Sequence, residues 1–110
     1  HGHLVYDESL ASVATAHARF LSERNALVHR NHKGGHLRQR LHAAAIRPEF
    51  MSELLVYAPS PLAAFGALTD SPAHLSEMKN HRVNRIGIGM VKNFYVVVLA
   101  RLADEPRKVD

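Results

Sequence analysis

The sequence predicts an α/β domain in which about four helices surround a small antiparallel sheet. Three observations carry that expectation. Apolar residues recur at helical spacing through the first half of the chain, two Ser-Pro dipeptides mark helix starts in its middle, and from Asn84 onward the apolar period drops to two. The 110 residues suit one domain spanning 1–110. With 46% apolar and 22% charged residues the composition is that of an ordinary folded domain, which excludes a disordered or collagen-like chain.

The elements follow in order. His1 to Val5 reads as an incoming extended segment, and Asp7 as an N-cap. Leu10, Val13, Ala14, His17, Phe20 and Leu21 then fall on one face, which predicts a helix over residues 8–24. Lys33, Gly34 and Gly35 break the chain before Leu37, Leu41, Ala44 and Ala45 restart a helical stripe that must stop ahead of Pro48. Leu54 to Ala58 is a third strand or an extended connection. Ser60-Pro61 and Ser71-Pro72 each pair an N-cap residue with proline at the first helical position. The helix after Pro61 is expected to bury Leu62, Phe65 and Leu68, and the next one Leu75 and Met78. Ile86, Ile88 and Met90 alternate with Gly87, Gly89 and Val91, a Lys92-Asn93 turn follows, and Phe94 to Leu102 completes a β-hairpin. The expected core residues include Phe20, Leu41, Ile88 and Val97, and residues 104–110 are expected to form a flexible tail.

The longest apolar run, Phe94 to Ala100, is far short of the roughly 18 residues that span a bilayer, so no membrane span is expected. The absence of cysteine removes disulfides, iron–sulfur clusters, thiolate zinc sites and a cysteine nucleophile, and leaves the compartment open. Fourteen Lys and Arg against ten Asp and Glu give a net charge of +4, and its distribution is uneven. From Arg24 to Pro48 there is no acid, while Arg24, Arg30, Lys33, Arg38, Arg40 and Arg47 alternate with His29, His32, His36 and His42. Such a stretch suits phosphates, anionic lipid or acidic polymers. Aromatic residues do not interleave with it and no recognition motif is present, so nucleic acid is not the expected partner.

Several residues could carry chemistry. His29, His32 and His36 have the i, i+3, i+7 spacing of a helical zinc site, but Gly34 and Gly35 interrupt that span, which makes them loop histidines. Asp70, Ser71 and His74 contain the ingredients of nucleophilic catalysis, yet Ser71 before Pro72 is more simply an N-cap accepting the His74 amide. Glu53 opens the apolar run Leu54-Leu55-Val56-Tyr57 and is the only acid between Glu49 and Asp70. A carboxylate in such a run is partly buried and needs a partner, and a histidine would serve.

The pieces Leu4-Val5-Tyr6-Asp7-Glu8-Ser9-Leu10, Ala14 through His17-Ala18, His29, Arg40 with Ala43-Ala44, Glu53, Ser71-Pro72-Ala73-His74 and Ile86-Gly87-Ile88-Gly89 together resemble the CAP superfamily in its bacterial, cysteine-free form. That superfamily, also called SCP-like, comprises cysteine-rich secretory, antigen 5 and pathogenesis-related proteins. The resemblance spans roughly residues 4 to 102 and implies a three-layer α-β-α sandwich in a secreted or envelope-associated protein, with a cleft lined by histidines and acids. It places the cleft at His29, Glu53, Ser71 and His74, and His29, Glu53 and His74 as the ligands of any divalent metal such as zinc. It also implies that the family's opening helix precedes residue 1. Ser52-Glu53-Leu54 stands where the family commonly has Gly-Glu-Asn, and Leu68 where it has tryptophan. Two functions follow as expectations: a non-catalytic binding domain for a small apolar or anionic ligand or a cell-envelope component, or a metal-assisted hydrolase using His29, Glu53 and His74.

Overall fold

The structure, a computed structural model, describes residues 4–31, 35–79 and 82–103. Its elements are β1 (Val5–Tyr6), α1 (Glu8–Arg24), α2 (Leu37–Ala43), β2 (Phe50–Tyr57), α3 (Pro61–Asp70), α4 (Pro72–Met78), β3 (Arg85–Val91) and β4 (Phe94–Arg101). The expected tail 104–110 and His32 lie outside the described residues, as does the side chain of Met78.

Local signals set the helix bounds. The Asp7 carboxylate accepts the Leu10 amide at 2.9 Å and starts α1, which ends where Asn25 turns left-handed at φ 53°. Ser60 caps α3 in the same way through the Ala63 amide, and Pro61 and Pro72 each occupy the first helical position.

The four strands lie in the order β1-β3-β4-β2. The hairpin β3-β4 and the pair β2-β4 are antiparallel, as expected, but the incoming segment adds a short parallel strand, with Val5 opposite Arg85 and Tyr6 opposite Ile86. The sheet is therefore mixed.

β4 is central and buried on both faces. Its Phe94, Val96, Val98 and Ala100 join Leu10, Ala14, Leu21 and Leu41 under α1 and α2, while Tyr95, Val97 and Leu99 join Leu54, Val56, Ala64 and Leu68 under α3. These two clusters are the two faces of one sheet, each covered by helices, which makes the three-layer sandwich.

Two expectations about the core are corrected. Ile88 is 43% exposed, because the face of β3 turned toward α1 is its glycine face. A Cβ on Gly87 would stand 2.3 Å from the Ala11 backbone nitrogen, and one on Gly89 2.2 Å from that of Thr15. Four helical residues advance about 6 Å and two strand residues slightly more, so α1 runs along β3 with a glycine under each turn. Ile88 and Met90 point to the opposite face, beyond the reach of α3. In α3, Leu62 and Phe65 are largely exposed, and Ala64 with Leu68 forms the buried stripe. Pro61 to Leu68 is apolar on every side, so periodicity does not set the rotation of this helix. The small side chain of Ala64 lets it seat closely on β2.

Candidate functional site

Side chains alternate along β2, and the odd positions Met51, Glu53 and Leu55 face the layer of α1 and α2. Glu53 thus carries its carboxylate under α2, where it is 3% exposed. Arg40, on the inner side of α2 one position before Leu41, meets it: Nη2 donates to Glu53 Oε1 at 2.8 Å. Nη2 also donates to the His29 carbonyl at 2.9 Å, and Nε reaches the Gly35 carbonyl at 3.4 Å. The guanidinium thereby ties His29 and Gly35, both between α1 and α2, to the sheet.

His29 completes the cluster. Its Nδ1 lies 2.9 Å from Glu53 Oε1, and because a carboxylate only accepts, Nδ1 carries the proton. In the neutral ring Nε2 then holds the lone pair, on a side chain that is mostly exposed. Glu53 Oε1 accepts two charge-assisted bonds, while Oε2 is buried with no partner. Beside the cluster a hollow of about 280 Å³ is lined by His29, His36, Arg38, Ser52 and Glu53.

A second histidine holds the same loop from beneath. His17, on the apolar face of α1, is 1% exposed, and its Nε2 donates to the Val28 carbonyl at 2.7 Å. Phe20 stacks against the ring at 5.8 Å between centroids. Burial lowers the His17 pKa below the usual 6.5, and Arg40 and His29 push the same way, while Glu53 and the Val28 bond oppose them. The unfolded chain therefore binds a proton that the native state refuses. Stability is fully present above about pH 6.5 and falls as the pH drops from there through the lowered His17 value. Chemical denaturation across that range is expected to show this slope in the wild type. A His17→Gln variant, whose amide still reaches Val28, is expected to lose much of it; an unchanged slope would clear His17 of the effect.

Of the residues expected in one cleft, the fold brings together His29 and Glu53, while Ser71 and His74 do not line the hollow beside that pair. Ser71 Oγ accepts the His74 amide at 3.3 Å, so the serine acts as the N-cap of α4. α4 packs on α3, whose buried Ala64 and Leu68 lie on the face of the sheet away from Glu53. The expected convergence of His29, Glu53 and His74 on a metal does not occur. His29 and Glu53 bond each other, His74 is not among the residues lining the hollow beside them, and the described residues include no group of three His, Asp or Glu able to hold an ion. The donor set does not fit the metal that the resemblance implies.

Arg40 and His17 are the site residues that the sequence reading did not assign. Both carried a signal: each polar side chain sits on an otherwise apolar helical stripe, and the acid-free span around Arg40 leaves Glu53 as the nearest acid following it on an inward-facing strand position.

The comparisons agree with this architecture. An SCP-domain extracellular protein from Bacillus anthracis strain Ames superposes with a TM-score of 0.83 at 23% identity, over 89% of this chain and 33% of that one. An outer surface protein from Borrelia burgdorferi gives 0.80 at 24% identity, over 93% of this chain and 80% of its own. A cysteine-rich secretory protein from Staphylococcus aureus strain Mu50 gives 0.68 at 18%, over 89% and 31%. At these identities the likeness is one of fold, and the chain spans about a third of the Bacillus protein. Comparison with curated proteins gives no match. The profile of the cysteine-rich secretory protein family, CAP, matches residues 2–99, nearly the whole of the sandwich just described. This chain belongs to the CAP family.

Proposed function

We propose that the chain is an extracellular or envelope-associated binding domain that takes an anionic ligand in the hollow over Glu53 and catalyses no reaction. The observation that carries this reading is the internal neutralisation of Glu53. Arg40 and His29 both bond the one carboxylate of the hollow, so its charge is met from within and exposed Arg38, beside His36, leaves the rim basic. The Bacillus and Borrelia neighbours, described as extracellular and outer surface proteins, support the location. Against turnover, Oε1 of Glu53 already accepts from a guanidinium and an imidazole, and no other acid lines the hollow among the described residues.

Calorimetry and NMR with glycerol phosphate test the reading. Saturable binding that weakens as salt is raised, and that falls in Arg38→Ala, is the expected result. A hydrolase screen on peptide, ester and glycan substrates, with and without zinc, is expected to be blank. Submicromolar zinc binding that is lost in both His29→Ala and Glu53→Ala, together with zinc-dependent turnover, would establish the metal-assisted hydrolase instead.

A further inference from the structure

The strand order β1-β3-β4-β2 gives β2 a neighbour on one side only. The ladder fixes which of its main-chain groups that leaves open. The Ala58 amide donates to the Asn93 carbonyl, one step beyond the pair Tyr57 and Phe94. Alternate residues of an antiparallel pair bond the partner strand, so Ser52, Leu54 and Val56 turn their N–H and C=O groups to β4, while Met51, Glu53 and Leu55 turn theirs outward. Among the described residues, none bonds those outward groups. Glu53 shows that the edge is open: its side chain is 3% exposed, yet the residue as a whole is only partly buried, so what meets solvent there is main chain. Edge strands are commonly blunted by proline or lysine. The eight residues Phe50–Tyr57 contain neither, and their one charge, Glu53, is turned inward onto Arg40.

The same stretch of strand decides what pairs with it. Met51, Ser52 and Glu53 line the hollow whose rim carries exposed Arg38 and His36. A residue directly opposite Met51 in an added antiparallel strand holds its side chain on the same face as Met51 and Glu53, the face of α1 and α2, and therefore beside that rim. The Arg38 charge favours an acid at that position. It disfavours a second copy of this chain, because antiparallel pairing of β2 with itself sets the two α1–α2 layers side by side and brings the two Arg38 rims together. We infer that β2 takes up an extended acidic peptide as an added antiparallel strand, with the peptide's Asp or Glu opposite Met51 and its carboxylate in the hollow. The acidic side chain rests on the anion reading of the hollow; the strand pairing rests on the open edge.

Amide hydrogen exchange read by NMR, with the peptide acetyl-Thr-Val-Asp-Val-Thr-amide as probe, tests both parts. In the free protein the Ser52, Leu54 and Val56 amides are expected to be protected and those of Met51 and Glu53 to exchange rapidly. The peptide should slow Met51 and Glu53. Opposite Met51 the peptide's Asp turns its own N–H to β2 while both Val amides point away. N-methylation at Asp should therefore abolish binding, and N-methylation at both Val should leave it within about twofold. Replacing Asp by Asn in the peptide should weaken binding on the order of tenfold, and Arg38→Ala should bring the two peptides to the same affinity. Met51 and Glu53 amides already protected without peptide, no protection on adding it, or equal losses from the two methylations would each overturn the proposal. If glycerol phosphate binds but the peptide protects nothing, the strand pairing alone fails. If glycerol phosphate does not bind and the Asp and Asn peptides protect alike, the anion reading fails and the acidic preference is overturned with it.

Discussion

Gly89→Ala is expected to destabilise the fold by about 3 kcal/mol or more, at or above the upper end of the usual range for overpacking. Overpacking is tolerable when the obstacle is the free end of a side chain. Here the new methyl would meet helix backbone, 2.2 Å from the Thr15 nitrogen and 2.4 Å from the Ala14 carbonyl carbon. No rotamer change relieves that contact, so α1 as a whole must lift from β3. Lifting it also opens the packing of Leu10, Ala14 and Leu21 on β4. Gly87→Ala meets the Ala11 nitrogen at 2.3 Å and should cost a similar amount. Because both substitutions displace the same helix, the double variant should lose less than the sum of the two. Ile88→Ala, between the glycines but half-exposed on the other face, should cost under about 1 kcal/mol. Urea denaturation of the four variants checks the set. A Gly89→Ala midpoint near that of wild type would refute the close approach of helix and strand.

That contrast also shows what was legible in the sequence. The alternation of Ile86 to Val91 identifies a strand, but a period of two does not say which set of residues faces the helix. Bulky residues would ordinarily be assigned inward; here glycines lie inward because α1 seats on the strand backbone. The starts of α1, α3 and α4 were readable because Asp7, Ser60 and Ser71 act within one turn of themselves. The rotation of α3 was not, since an all-apolar surface offers no contrast between inside and outside. Glu53 was legible as a buried acid in want of a partner, and His29 as one such partner. The resemblance groups His74 with them, but a motif shared along the sequence carries no information about which side chains share a hollow. The residue that dominates the cluster, Arg40, looked like one member of a basic run, although its place on the inner stripe of α2 sets it apart from exposed Arg38 and Arg47.

Arg40→Ala is expected to cost about 3–5 kcal/mol, the range for removing one partner of a buried ion pair. Glu53 stays where β2 holds it, 3% exposed, and would keep only the His29 bond from the rim of the cluster. Three further acceptors are touched by the loss: the His29 carbonyl loses its guanidinium donor, the Gly35 carbonyl keeps only the Asn31 amide, and Glu53 Oε2 has no partner already. Glu53→Gln should cost less, about 1–3 kcal/mol, since it strands the Arg40 side chain, which is 9% exposed against 3% for Glu53, and the amide oxygen can still accept from the guanidinium. The double variant Arg40→Met, Glu53→Leu separates a mere packing role from an electrostatic one. If the cost of Arg40→Ala comes from the stranded carboxylate, removing both charges restores most of the stability, as apolar replacements of buried ion pairs commonly do. It should not restore function: without Glu53 the His29 ring loses the acceptor that orients it, and without Arg40 the loop carrying it is untied from the sheet. Equilibrium unfolding and glycerol phosphate titration on the same three variants read the two effects apart. A double variant as unstable as Arg40→Ala would place the cost in lost packing, and one that binds phosphate as well as wild type would remove the cluster from the site.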